Sequence, residues 1–136
     1  MPTIQSLPWS SDGHEGGPPS MTVLIDWLTT GNNYLHWHTS ESQESKRALC
    51  RDILEELAAK GIHHCDVHGI YLMIRFLEQS YKEAAEFRRN AEGSPWGLDP
   101  RGRVVSVESH TRRICRHWDR LDPILAPYEP IIVDSD

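Results

Sequence analysis

No stretch of this sequence approaches the roughly 18 apolar residues that a membrane span requires. The first residues show no basic region followed by an apolar block, so neither a membrane partner nor a leader is expected. Cysteine is scarce: Cys50, Cys65 and Cys115 are odd in number, lie far apart and form no CxxC pair, which argues against a disulfide framework and fits a reducing compartment. Glycine-rich phosphate loops, HExxH and GxSxG are all missing, and Cys50 or Cys65 beside His64 is sequence adjacency alone. A non-catalytic protein without an obligatory cofactor is therefore expected. No internal repeat is evident, and 136 residues with 38% hydrophobic content suit one modest core.

Charge is present but unevenly spread. The formal total of −6 speaks against a polyanionic partner, yet residues 96–125 hold six basic against four acidic side chains. The last stretch, 126–136, has three acids and no base.

Along the chain, residues 1–20 are rich in Pro, Gly and Ser around an isolated Trp9 and read as a mobile N-terminal arm. Residues 21–125 read as the helical domain and 126–136 as an acidic tail, so the class is all-α. In the first helix Val23, Leu24, Trp27 and Leu28 form the apolar stripe, with Ser20 as cap, Gly31 as stop, Trp27 turned inward and Ile25 less constrained. Asn32 and Asn33 suit a turn before a short helical piece carrying Tyr34, Leu35 and Trp37. A second helix is predicted over 45–60, with Leu49, Ile53, Leu54 and Leu57 inward and Gly61 at its C′ position. The third begins near Asp66 and carries Val67, Ile70, Ile74, Leu77, Tyr81 and Ala84 on one face. Residues 90–106, "NAEGSPWGLDPRGRVVS", read as a loop. A fourth helix follows over 108–121, with Ile114, Trp118 and Leu121 on its apolar side, and Asp122-Pro123 ends or strains it.

Three features carry potential chemistry. "HHCDVH" (His63, His64, Cys65, His68), His36 with His38, and Cys115 with His117 are zinc-type ligands, but their spacing matches no knuckle, so partly exposed histidines at helix starts are the expected reading and no metal is expected. Arg112, Arg113, Arg116 and Arg120, joined by His117, fall on one side of the fourth helix and form the best phosphate-binding face; the competing reading is an ordinary solvated face. On the third helix Arg75, Lys82, Arg88 and Arg89 are interleaved with Glu78, Glu83 and Glu86 at pairing distances. The tail "IIVDSD" looks like a SUMO-interacting motif, in which Ile131, Ile132 and Val133 would fill pockets at a sheet edge and Asp134 and Asp136 would meet a basic rim; a solvated acidic tail, or a strand on the protein's own core, is the alternative.

The order of several phrases resembles a Myb/SANT-like, trihelix-like DNA-binding family found in fungal and oomycete genomes and linked to transposon-derived genes. Its recurring phrases are close to "LxWLTTxGNYxxW", a Gly-Ile-His step, a "DV" helix ending in "LEQSF" and "CPxYxxLDPIM". This chain reads "LIDWLTTGNNYLHW", "KGIHH", "DVHGIYLMIRFLEQSY" and "CRHWDRLDPIL" in the same order. The resemblance implies a three-helix bundle with a fourth closing helix, whose third helix lies in the major groove with Arg75 and His68 nearest a base edge. It implies a nuclear DNA-binding or chromatin-associated regulator of double-stranded DNA. The alternative it allows is a SANT-type peptide-binding module whose acidic surface meets a basic partner and whose tail recruits SUMO. Where the family favours a basic residue inside "NYxRW" this chain has His36, and the family's "CPxY" is here "CRHW".

Overall fold

A computed structural model describes residues 8–128. Contacts divide the chain into two units, the first ending at Ile74 and the second beginning at Arg75. Helices dominate, so the all-α expectation holds as a class, with one small two-stranded sheet added.

The first unit is built from α1 (Ser20–Thr29), α2 (Asn33–Thr39), α3 (Gln43–Ala59) and the first turns of α4 (Val67–Asn90). In α1 Ser20, Met21, Val23, Leu24, Ile25 and Leu28 are buried, and Met21, Leu24, Ile25 and Leu28 make the i, i+3, i+4, i+7 stripe of a helix lying on its neighbours. Val23, Leu24 and Leu28 are buried as the sequence implied, but two residues differ: Ile25 is core at 1% exposure, whereas Trp27 falls on the flank and is half-buried. Trp37 of α2 is the large ring that fills the centre, 1% exposed, tilted against Tyr71 at 5.8 Å and covered by the Lys46 ammonium 4.5 Å from its ring centre. Cys50, Ile53 and Leu57 of α3 and Ile70 and Ile74 of α4 complete the core.

The turn after α3 shows why Gly61 stands where it does. Ile62 N–H donates to the Leu57 carbonyl and Gly61 N–H to that of Ala58, both at 2.9 Å, closing the helix as a Schellman turn that needs the left-handed φ of +84° at Gly61. The His14 ring lies so close that a Cβ on Gly61 would meet it at 2.6 Å, and the Trp9 carbonyl accepts from Met21 N–H at 3.0 Å. The stretch expected as a mobile arm is thus held against the first unit over its described part.

The second unit holds the rest of α4, a hairpin of β1 (Trp96–Leu98) and β2 (Val104–Ser106), α5 (Val107–Ile114), α6 (Trp118–Leu125) and a closing 3-10 turn at Ala126–Tyr128. Residues 90–106 are therefore not a plain loop. The strands pair antiparallel with Trp96 opposite Ser106 and Leu98 opposite Val104. Asp99 makes the tip: its Oδ1 accepts from the Arg101 and Arg103 amides, its carbonyl from Gly102 N–H, and Gly102 takes φ +79°. Gly97 lets β1 lie on Phe87, whose ring a Cβ would approach at 3.0 Å.

The predicted fourth helix is broken. α5 ends at Ile114, Cys115 is extended (φ −128°, ψ 96°) and buried, and α6 starts afresh at Trp118 and runs through Pro123 to Leu125. Extending Cys115 sends its thiol into the core and turns Trp118 onto Tyr81, with which it stacks at 4.8 Å and 15°. The Tyr81 hydroxyl donates to Asp122 Oδ1 at 2.7 Å. Leu77, Tyr81, Ala84, Val107, Leu121 and Leu125 form the core around this stack.

Candidate functional site

Charge separates between the units. Residues 8–74 carry four Lys or Arg against nine Asp or Glu, whereas residues 75–128 carry ten against eight. Six of those ten lie on the hairpin, α5, α6 and the bend between the helices.

The break at Cys115–His117 dissolves the single arginine stripe expected on one continuous helix. Arg112 is committed internally: its Nε and Nη2 donate to the two oxygens of Asp119 at 3.0 Å each, and its Nη1 to Glu108 at 2.9 Å. Those bonds raise its pKa further, Asp119 first and Glu108 second. Arg113 on α5 and Arg116 in the bend are exposed and have no acid within ion-pair distance among the described residues. Arg101 at the hairpin tip is in the same condition. Arg120 is exposed on α6. His117 does not add charge to this surface: burial, then the Arg116 and Arg120 cations, push its pKa below the ordinary value.

The residues expected on the reading helix are placed less favourably. Arg75 is paired with Glu78 at 3.2 Å, and His68 is exposed in the first turn of α4. Arg88 stacks over Trp118 at 5.3 Å from the ring centre and lies 3.9 Å from Glu108. Ile131, Ile132, Val133, Asp134 and Asp136 lie outside the described residues.

Of the zinc-type ligands, His64 and Cys65 come together with a residue the sequence did not single out. Asp12 presents a carboxylate whose side chain is fully buried, 2.6 Å from His64 Nε2. Ser20 holds that carboxylate from the other side, its amide donating to Oδ1 at 2.6 Å and its hydroxyl to Oδ2 at 2.5 Å. Cys65 Sγ lies 3.8 and 3.9 Å from the two ring nitrogens of His64 and 3.6 Å from the Ser20 hydroxyl. No local signal marks Asp12, because 52 residues separate it from His64 and only the turn after α3 brings them together.

The electrostatics oppose a ready nucleophile there. Burial raises the Cys65 pKa, the Asp12 and Asp66 charges add to it, and the Ser20 hydrogen bond offsets only part, so the group is a thiol at neutral pH. For Asp12 burial alone would raise the pKa, but the Ser20 hydroxyl and amide and the His64 ring outweigh it, and the carboxyl stays below its ordinary value.

Comparison with protein-family models, with curated proteins and with solved structures finds no match for this chain. Its function is therefore argued from its own residues.

Proposed function

We propose that the chain is a non-catalytic DNA-binding or chromatin-associated regulator acting in the nucleus, with a Myb/SANT-like helical fold, that meets duplex phosphates through Arg113, Arg116 and Arg120. The observation that carries this reading is the set of uncommitted arginines on the net-basic second unit, Arg101, Arg113 and Arg116, in a protein whose total charge is −6. A guanidinium without an acid partner binds phosphate without first giving up an ion pair. The phrases shared with the Myb/SANT-like family support the same reading and point to α4 as the major-groove helix. Arg75 would reach a base edge there by leaving Glu78, an exchange eased by the exposure of the arginine.

A second reading, a protein-interaction module, has its own observation. Trp96, Leu98 and Val104 share the outer face of the hairpin at 60%, 62% and 70% exposure, an apolar plate beside Arg101 and Arg103. It suits a partner segment with apolar side chains and an acidic edge.

Titrating the whole chain against random duplex DNA at two ionic strengths separates the two. Phosphate contacts give affinity that falls steeply with salt, whereas an apolar plate gives little. Absence of binding at low salt overturns the DNA reading.

A further inference from the structure

We propose that Asp12, His64 and Cys65 form a site for one divalent transition-metal ion of the zinc class, which fastens the segment before α1 to the turn between α3 and α4. A carboxylate oxygen, an imidazole nitrogen and a sulfur, one from each residue, all lie within 4.8 Å of one another. An ion bonded tetrahedrally at about 2.0–2.3 Å holds its ligand atoms about 3.3–3.6 Å apart. The distance from Cys65 Sγ to His64 Nε2, 3.9 Å, is already close to that spacing. The His64 Nε2 to Asp12 Oδ2 distance of 2.6 Å opens by under about 1 Å, within the reach of side-chain rotation.

The donor set selects the ion. Sulfur disfavours magnesium and calcium, which take oxygen ligands, while a thiolate, an imidazole and a carboxylate together suit zinc and its spectroscopic substitute cobalt. Three protein ligands leave a fourth position for water. Ser20 supplies outer support, because its two hydrogen bonds fix the carboxylate that would bind the ion. On binding, the Cys65 S–H bond gives its proton to solvent and its electron pair to the metal, with no change of oxidation state. The ion would replace a hydrogen bond between segments 52 residues apart with coordinate bonds. None of these residues belongs to the proposed DNA surface, so either proposal can fail alone.

The test is titration of the full chain with Co²⁺. The expected result is a 1:1 complex with a thiolate-to-cobalt charge-transfer band in the near ultraviolet, bleached by added Zn²⁺. Cys65→Ser removes the band, Asp12→Asn and His64→Gln each weaken binding by about tenfold or more, and His63→Gln, next door but outside the cluster, leaves it unchanged. Circular dichroism checks that each variant keeps its helicity. Should Cys65→Ser fail to fold, the wild-type chain decides the matter: Zn²⁺ should slow N-ethylmaleimide alkylation of Cys65, located by mass spectrometry, by about tenfold or more. No band in the wild type, a band that survives Cys65→Ser, or a Cys65 that zinc leaves unprotected overturns the site.

Discussion

Arg113→Ala combined with Arg116→Ala should lower the salt dependence of DNA binding, and the size follows from which arginines are committed. Each phosphate contact contributes about 0.9 to the slope of log affinity against log salt on B-form DNA. Neither Arg113 nor Arg116 has an acid partner among the described residues, so each counts as a full contact and the slope should fall by about 1.8. Between 50 and 200 mM salt each contact is worth about 3.5-fold, so wild-type affinity should drop about 12-fold more across that interval than that of the double variant. The control is Arg112→Ala with Asp119→Ala. It removes both sides of an ion pair joined by two 3.0 Å hydrogen bonds, leaves the net charge unchanged and should leave the slope unchanged. Fluorescence anisotropy with a labelled random duplex over a salt series reads both. Equal effects from the two double variants, or no change from either, would refute the assignment of free and committed arginines.

Three further outcomes follow from the packing and the titrating groups. Trp37→Ala empties the centre of the first unit, where the ring is 1% exposed, and should cost about 3–5 kcal/mol in urea unfolding. Tyr81→Phe keeps the stack on Trp118 but loses the 2.7 Å hydrogen bond to Asp122, a loss of about 1.5 kcal/mol or more read as a lower thermal midpoint. Asp12 has a folded-state pKa below the ordinary 3.8, so its contribution is fully present above pH 3.8 and is lost as the pH falls through the lower folded value. Stability measured against pH should therefore decline in that acid window, and Asp12→Asn should make the decline shallower; an unchanged profile would contradict the hydrogen-bonded carboxylate.

Much of the helical frame was legible because it obeys local rules. The span predicted over 45–60 is Gln43–Ala59 in the structure, and Gly61 closes it as the C′ rule requires. Ile70, Ile74, Leu77, Tyr81 and Ala84 are all buried on α4 as their spacing implied. The hairpin was readable and missed: Asp99-Pro100 followed by Gly102 is turn chemistry, and Trp96-Gly97-Leu98 and Val104-Val105 flank it with strand formers. The break at Cys115 had no such signal. Val107, Thr111, Ile114, Trp118, Leu121 and Leu125 keep helical spacing straight through it, so only tertiary packing of the thiol reveals the interruption. With that break went the uniform arginine stripe. The commitment of Arg112 to Asp119, seven residues away, is likewise a product of two helices meeting at a bend rather than of spacing along one. The Asp12, His64 and Cys65 cluster was half legible: two of its members stand in "HHCDVH", and the third comes from a stretch whose composition predicts mobility.

The same comparison explains why net charge is a poor guide to partner choice in this chain. At physiological salt, fields decay over about 8 Å, so a phosphate responds to the side chains it nearly touches and not to a sum over 136 residues. The nine acids of residues 8–74 account for most of the negative total, and the three acids of 126–136 for the rest, while residues 75–128 are net positive by two. Within that basic unit ion pairing divides the cations again. Arg112, Arg103, Arg75 and Arg88 are held by Asp119, Asp99, Glu78 and Glu108, while Arg101, Arg113 and Arg116 present their full charge. On the proposed DNA-binding reading, what decides the interaction is therefore which guanidinium groups the fold leaves without an acid, a property set by the bend at Cys115 and the tip of the hairpin.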